Sequence, residues 1–320
     1  MTEITQNQSA TVVEKETLET IDGERRIVTI KKPGDFVVCN LSSINLGRAE
    51  PDQVLERLLK IEVRMLDNVI GLNKGRIEVL QAEETNERYH SIGLGTFGWN
   101  HLLALKGIAW ETDEAVNYCD ELYEEIAYLA IKASMELAQE KGAYPLFKGS
   151  DWDTGAYFVK RDYVTPDLQT SKSNKFDWAK LASEVNQHGV RNAYIMAVAP
   201  NMSTATIAAS TASIDPIFKK MYAEEKKGIK IPVVVPDLNP STNWYYKSAY
   251  LIDQHWSIKQ NAKRQRHIDQ GISFNFYVPN NIKASELLDL HMTAWKEKLK
   301  TTYYVRSTSQ AVIDDCESCQ

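Results

Sequence analysis

Cysteine, histidine and long apolar runs are all scarce in this sequence of 320 residues. The four cysteines, Cys39, Cys119, Cys316 and Cys319, are too few and too scattered for a disulfide framework. The six histidines are dispersed, and we assign none of them to a metal. No apolar run approaches the ~20 residues of a membrane helix, and the polar N-terminus carries no secretory signal. These absences predict a cytoplasmic protein without a membrane segment.

The charge balance excludes binding to a nucleic-acid polymer through bulk positive charge. The chain has 43 acidic and 37 basic side chains, for a net charge of -6. Its 43% hydrophobic and 25% charged residues are ordinary values for a globular protein. The length allows either two domains or one large α/β barrel.

Alternating strand and helix patterns predict an α/β fold with mainly parallel strands. Asp22-Gly23 between two alternating segments predicts a hairpin over residues 18–30. Short apolar runs predict strands over 36–41, 193–199, 271–277 and 301–305. Apolar spacings of three and four predict helices over 51–72, 114–141, 176–188, 253–268 and 285–300. Residues 149–175 and 216–246 read as loops.

Two segments could bind phosphate groups. Gly93 to Gly98 matches G-x-G-x-x-G, but no strand precedes it, so close backbone packing explains these glycines better than a dinucleotide site. Pro200 to Thr204 follows a predicted strand and precedes a run of small, helix-compatible residues. An ordinary helix cap by Asn201 or Ser203 and a phosphate cradle use the same donors there, and both stay open.

The cysteines and a tyrosine pair have structural as well as chemical interpretations. On residue type alone, Cys39 and Cys119 are small core residues, on a strand and on a helix. Tyr303 and Tyr304 are neighbours on a strand, so their side chains should start toward opposite faces and serve in packing. Cys316 and Cys319 form C-x-x-C without further zinc ligands nearby, which leaves a redox dithiol or an incidental exposed pair.

The chain from about residue 36 resembles the large (α) subunit of class I ribonucleotide reductase. The matching segments, in the family's order and spacing, are Cys39 to Gly47, Ser91 to Gly95, Glu140 to Ala143, His188 to Asn192, Pro200 to Ala205, Tyr303-Tyr304, and the pair Cys316 and Cys319. The resemblance implies the C-terminal part of a ten-stranded α/β barrel. It divides the chain into a polar lead-in with a hairpin (1–35), the barrel part (36–306) and a flexible redox tail (307–320).

The resemblance also implies a role for each matching residue. Cys39 matches one of the two cysteines that are oxidised to a disulfide as the ribose 2′-hydroxyl is removed, and Cys316 and Cys319 match the dithiol that reduces this disulfide again. Tyr303 and Tyr304 match the pair that relays a radical from the small subunit. The residues that match the site for the substrate diphosphate are Asn201, Met202, Ser203, Thr204 and Ala205.

The start of the chain departs from the family pattern. The family's Asn-Leu-Cys-x-Glu motif is absent before Cys39, but Met1 to Thr5 resembles this motif cut just after its cysteine. Glu3 would then match the motif's glutamate, an acid/base beside the ribose 3′-position. We therefore expect the C-terminal piece of a split large subunit, or the segment after an intein, for which Thr2 could serve as the junction residue.

The implied partners follow from the same resemblance. They are an N-terminal fragment of the large subunit, the small (β) subunit, thioredoxin or glutaredoxin as reductant, and ribonucleoside diphosphates. This chain would bind no cofactor itself, because a metal-containing small subunit supplies the radical. The alternative is an inactive remnant that binds the small subunit or substrate phosphate. A cobalamin-dependent or glycyl-radical relative has no need for the tyrosine pair, so the pair argues against both of these alternatives.

Overall fold

The computed structural model describes residues 2–6, 9–226 and 229–308. The strands are β1 (Val12–Ile21), β2 (Glu24–Lys32), β3 (Leu41–Asn45), β4 (Gly93–Phe97), β5 (Met221–Lys226), β6 (Ile229–Val234), β7 (Phe276–Val278) and β8 (Val305–Ser307). The helices are α1 (Leu46–Ala49), α2 (Leu55–Asn73), α3 (Leu80–Tyr89), α4 (Trp99–Lys106), α5 (Asp113–Lys141), α6 (Ala156–Lys160), α7 (Trp178–His188), α8 (Met202–Ile207), α9 (Gln254–His267) and α10 (Ala284–Lys296).

The predicted hairpin is confirmed as the antiparallel pair β1–β2. Its turn residues Asp22 and Gly23 both have positive φ, 52° and 80°, which is the backbone of a type I′ turn. Nearly all hairpin side chains are exposed. At its base, the backbone N–H and the hydroxyl of Ser9 both donate to Oδ2 of Asp35, at 2.7 and 2.8 Å. The hairpin therefore projects from the fold and is clamped where it begins and ends.

A parallel sheet forms the centre of the fold. β3 pairs with β4 from Leu41 opposite Gly93 to Asn45 opposite Phe97. Residues 194–198 continue the sheet on the other side of β4, through a parallel bridge from Leu94 to Met196. The same segment reaches residues 271–273 through backbone hydrogen bonds and a second parallel bridge. The buried segment predicted at 193–199 thus lies inside the sheet.

The glycines of β4 allow its neighbours to approach closely. A Cβ at Gly95 would overlap the carbonyl oxygen of Ala197, and one at Gly93 would overlap the Leu41 side chain. All five residues of β4 are buried. The prediction that these glycines serve close packing is confirmed.

Helices α2, α5 and α9 pack around this sheet, and α5 contacts both of the others. Thr112 caps α5 by accepting a hydrogen bond from the N–H of Ala115 at 3.2 Å, and Gly142 ends the helix with a φ of 84°. Cys119 lies on its buried face, as predicted, and donates to the carbonyl of Gln260 at 3.3 Å. The long periodic pattern correctly located this helix.

A buried carboxylate joins several of the segments that carry the family resemblance. Asp67 of α2 contacts Nε of Arg191 at 2.9 Å, Nζ of Lys141 at 2.8 Å and Nδ1 of His90 at 3.3 Å. Although burial opposes it, hydrogen bonds from His90 and Lys141 and the charge of Arg191 hold the pKa of Asp67 well below its usual range. The motifs around residues 140–143 and 188–192 therefore meet at one structural ion-pair cluster.

Several predicted boundaries differ from the structure. The strand expected at 36–41 is β3 at Leu41–Asn45, and the strand expected at 301–305 is β8 at Val305–Ser307. Helices α3 and α4 were not predicted, and the supposed loop 216–246 contains the antiparallel pair β5–β6. None of the helices in the described ranges is long and apolar enough to cross a membrane.

Candidate active site

The first described residues are built into the interior beside residues 271–273. The N–H of Gly271 donates to the carbonyl of Glu3 at 2.6 Å, and the hydroxyl of Ser273 donates to Oε2 of Glu3 at 2.5 Å. Glu3 is fully buried, and its Oε1 has no hydrogen-bond partner within the described chain. Because a buried carboxylate normally has its acceptors satisfied, Oε1 is available to a group that enters the site.

Cys39 lies in the loop before β3 and is exposed. The prediction that it lies within a buried strand is wrong, because the pairing with β4 begins only at Leu41. Partial burial of the sulfur and the nearby Glu3 carboxylate both raise the pKa of the Cys39 thiol. Cys39 is therefore an accessible, protonated thiol at neutral pH, under the electrostatic influence of Glu3.

Tyr303 and Tyr304 face each other. Their ring centroids are 3.9 Å apart, and the hydroxyl of Tyr303 donates to that of Tyr304 at 3.1 Å. The prediction that they point to opposite faces is wrong, because both residues precede the regular strand β8. The hydrogen bond to Tyr304, partial burial and the Glu3 carboxylate raise the pKa of Tyr303 to about 12. Glu3 thus acts electrostatically on both Cys39 and Tyr303.

The segment from Pro200 to Thr206 forms one side of a cavity of about 450 Å³. Asn201 occupies the cap position of α8 but makes no capping hydrogen bond with its side chain. Its amide donates instead to Oγ of Ser43 and to the carbonyl of Ala199, each at 3.0 Å. Ser203 and Thr204 are exposed and line the cavity, so their hydroxyls can meet a bound molecule. The alternative of a cap by Asn201 is therefore wrong.

The floor of this cavity contains a polar cluster that the sequence did not reveal. The buried Asp215 accepts a hydrogen bond from Nδ2 of Asn275 at 2.5 Å and a longer one, 3.4 Å, from the hydroxyl of Tyr277. Burial raises the pKa of Asp215 to about 6, while Asn275 and the charge of Arg306 oppose that increase. Oδ1 of Asn275 accepts from the N–H of Tyr304 at 3.2 Å. The cavity floor and the tyrosine pair therefore share Asn275.

One short stretch of chain connects these features. Ser273 holds Glu3, Asn275 holds Asp215 and the backbone of Tyr304, and the N–H of Tyr303 donates to the carbonyl of Phe274 at 2.8 Å. In the sequence, the polar residues Ser273 and Asn275 alternate with apolar residues in a predicted strand, and this pattern could have indicated the arrangement. Cys316 and Cys319 lie outside the described residues. Within the described chain, no cluster of three or more potential ligands could hold a metal ion.

Comparison with known proteins shows the family of the chain. Residues 2–305 match the family described as "Ribonucleotide reductase, barrel domain". The chain is 46% identical over 320 residues to ribonucleoside-diphosphate reductase subunit alpha of Treponema pallidum, covering 99% of this chain and 36% of that protein. It is 40% identical over 303 residues to the subunit of the same name from Helicobacter pylori, covering 91% and 38%.

The fold is therefore the α/β barrel domain of a ribonucleotide reductase. The chain belongs to the family of ribonucleotide reductase large (alpha) subunits and corresponds to the C-terminal part of the relatives that it matches. It spans a little over a third of the length of those relatives.

Proposed function

We propose that this chain is the C-terminal part of a ribonucleoside-diphosphate reductase α subunit that reduces ribonucleoside diphosphates to deoxyribonucleoside diphosphates. The observation that carries the proposal is the convergence of a buried carboxylate, an accessible thiol and a tyrosine pair. The Glu3 carboxylate acts electrostatically on both Cys39 and Tyr303, and the segment 273–275 connects Glu3 and the tyrosine pair to the cavity. A reaction that needs a thiol, an acid/base and a tyrosine relay can use such an arrangement.

In this proposal, loss of the ribose 2′-hydroxyl as water takes two electrons from two thiols, which become a disulfide. Cys39 is one thiol, and the other belongs to a part of the α subunit outside this chain. Glu3 exchanges a proton through its unpartnered Oε1. The loop from Asn201 to Ala205 holds the substrate diphosphate at the cavity.

The tyrosine pair and the terminal cysteines connect this site to partners. Tyr303 and Tyr304 relay a radical from a metal-containing small (β) subunit, for which their hydrogen-bonded contact supplies a direct path. Cys316 and Cys319 reduce the disulfide and are themselves reduced by thioredoxin or glutaredoxin. The remaining N-terminal part of the α subunit completes the site, and we expect the chain alone to be inactive.

The test is CDP reduction by a mixture of this chain, an N-terminal α fragment ending at an Asn-Leu-Cys sequence, a small subunit and a dithiol reductant. Each component is omitted in turn, and intact masses are recorded before and after mixing. Turnover only in the full mixture supports the proposal, and unchanged masses would indicate a split enzyme. A new summed mass would indicate splicing. A stable complex without turnover would contradict the proposal and favour an inactive remnant.

A further inference from the structure

Arg306 places a positive charge in the wall of the cavity, and no carboxylate in the described ranges forms an ion pair with it. It lies in β8, two residues after Tyr304, and its side chain lines the cavity together with the loop at Met202. Its Nη2 lies 3.9 Å from Sδ of Met202, a weak acceptor. Its Nε is buried and has no hydrogen-bond partner in the described ranges. A buried guanidinium donor left unpaired is unfavourable, so this geometry favours an anionic ligand.

The acidic residue of the same cavity, Asp215, forms no ion pair with Arg306, although the charge of Arg306 acts on its pKa. The Asp215 carboxylate accepts hydrogen bonds from Asn275 and Tyr277, and within the described chain no carboxylate forms an ion pair with Arg306. Arg306 also contacts Tyr304, whose ring centroid lies 5.5 Å from the guanidinium carbon. The guanidinium is thus positioned by Met202 and Tyr304, and its donors remain available to a molecule in the cavity.

We propose that Arg306 binds the phosphate groups of the nucleoside diphosphate substrate, beside the loop from Asn201 to Ala205. This inference rests on the proposed function, and it adds a binding residue and a charge requirement to the site. The planar guanidinium matches two phosphate oxygens at once, which an ammonium group cannot do. The hydroxyls of Ser203 and Thr204 line the same cavity and supply neutral donors to the same anion.

The experiment measures the KM for CDP, and competitive inhibition by inorganic pyrophosphate, in the complete mixture described above. The variants are Arg306→Gln, Arg306→Lys and the control Arg48→Gln. Arg48 pairs with Asp237 at 3.5 Å, has a side chain that is 52% exposed and does not line the cavity. The control therefore removes the same charge from a neighbouring surface. We expect Arg306→Gln to raise the KM and the pyrophosphate inhibition constant about tenfold or more. Arg306→Lys should be intermediate, and Arg48→Gln should stay within about twofold of wild type.

Unchanged KM and inhibition constants in a folded Arg306→Gln variant, with normal turnover by the wild type, would overturn this inference and leave the proposed function intact. If Arg306→Gln does not fold, the KM and inhibition constant of Arg306→Lys are compared with those of the wild type, and unchanged values would overturn the inference. If the wild-type mixture shows no turnover, the proposed function fails. Calorimetric titration with pyrophosphate of the complex between the N-terminal α fragment and this chain or its variants then decides the role of Arg306 separately. Equal affinity of wild type and Arg306→Gln, or no binding by either, would overturn it.

Discussion

Cys39 and Cys119 occupy opposite environments, and this difference separates reactive from structural thiols. Cys39 is exposed beside Glu3, whereas Cys119 is fully buried in α5, where burial raises its pKa to about 11. In the complete enzyme, Cys39→Ser should abolish CDP reduction because serine cannot form the disulfide. Substrate binding should stay nearly intact, since Cys39 does not line the cavity.

Cys119→Ser is the matched control for this prediction, and it should change neither turnover nor substrate binding. Its hydroxyl can still donate to the carbonyl of Gln260. Turnover assays and equilibrium binding of CDP measure both effects. Full turnover by Cys39→Ser would exclude the role assigned to Cys39.

Asp215 predicts a specific pH dependence of stability. Its folded pKa of about 6 lies above the ordinary value of 3.8, so the folded state binds more protons between these limits. The Asp215 contribution to the free energy of unfolding should therefore be full below about pH 4 and fall by up to about 3 kcal/mol as the pH rises through 6. Asp215→Asn removes this titration, and its stability relative to wild type should rise across that range. Denaturant unfolding at several pH values tests this, and a constant difference would contradict it.

At the level of residues, the sequence located the chemical groups but not their partners. The resemblance named Glu3, Tyr303 and Tyr304, which contact residues 273–275 in the structure, and Cys39, on which Glu3 acts electrostatically. It did not reveal Asp215, because hydrogen bonds from residues 60 positions away make that carboxylate part of the cavity floor. Contacts of such separation depend on the packing of the whole sheet.

The close approach of β4 to residues 194–198 gives a prediction at the level of elements. A Cβ at Gly95 would overlap the carbonyl of Ala197, so Gly95→Ala must push two buried segments apart. We expect a loss of about 2 kcal/mol or more in the free energy of unfolding. Gly71→Ala is the control, since a Cβ there meets nothing within 4 Å and the residue lies in α2. That variant should be neutral or more stable by about 0.5–1 kcal/mol.

Thermal and denaturant unfolding of both glycine variants provide the measurement. A Gly95→Ala protein as stable as Gly71→Ala would show that the two strands can separate without loss of packing.

The sequence predicted elements well where apolar residues recur with a clear period. Helices α2, α5, α7, α9 and α10 all fall near their predicted positions. Helix α3 was missed because its sequence, LQAEETNERY, is mostly polar and its buried residues are only Ala82 and Thr85. The pair β5–β6 was missed because charged residues interrupt the expected alternation in β5. The observed strands β3 and β8 begin several residues later than predicted. Pairing with a neighbouring strand, and not local hydrophobicity, determines where a strand begins.

At the level of the whole molecule, the sheet has an open edge. Among the described strands, β3 pairs only with β4, and its outer edge presents unpaired backbone groups. We expect the chain alone to aggregate, and the remaining part of the α subunit to relieve this by covering the edge. Light scattering coupled to size-exclusion chromatography, with and without an N-terminal α fragment, measures the effect. Equal monodispersity in both samples would contradict the prediction.

The clamped base of the β1–β2 hairpin has a practical consequence. Ser9 and Asp35 hold its two legs together, and Arg88 and Tyr89 hold Asp35 at 2.8 and 3.1 Å. The distance between the two legs is therefore fixed independently of the length of chain between them. A reporter domain or affinity tag inserted at the exposed Asp22-Gly23 turn would be tolerated without moving Glu3 relative to Cys39. This turn is the natural attachment point for a label with which to follow assembly of the subunits.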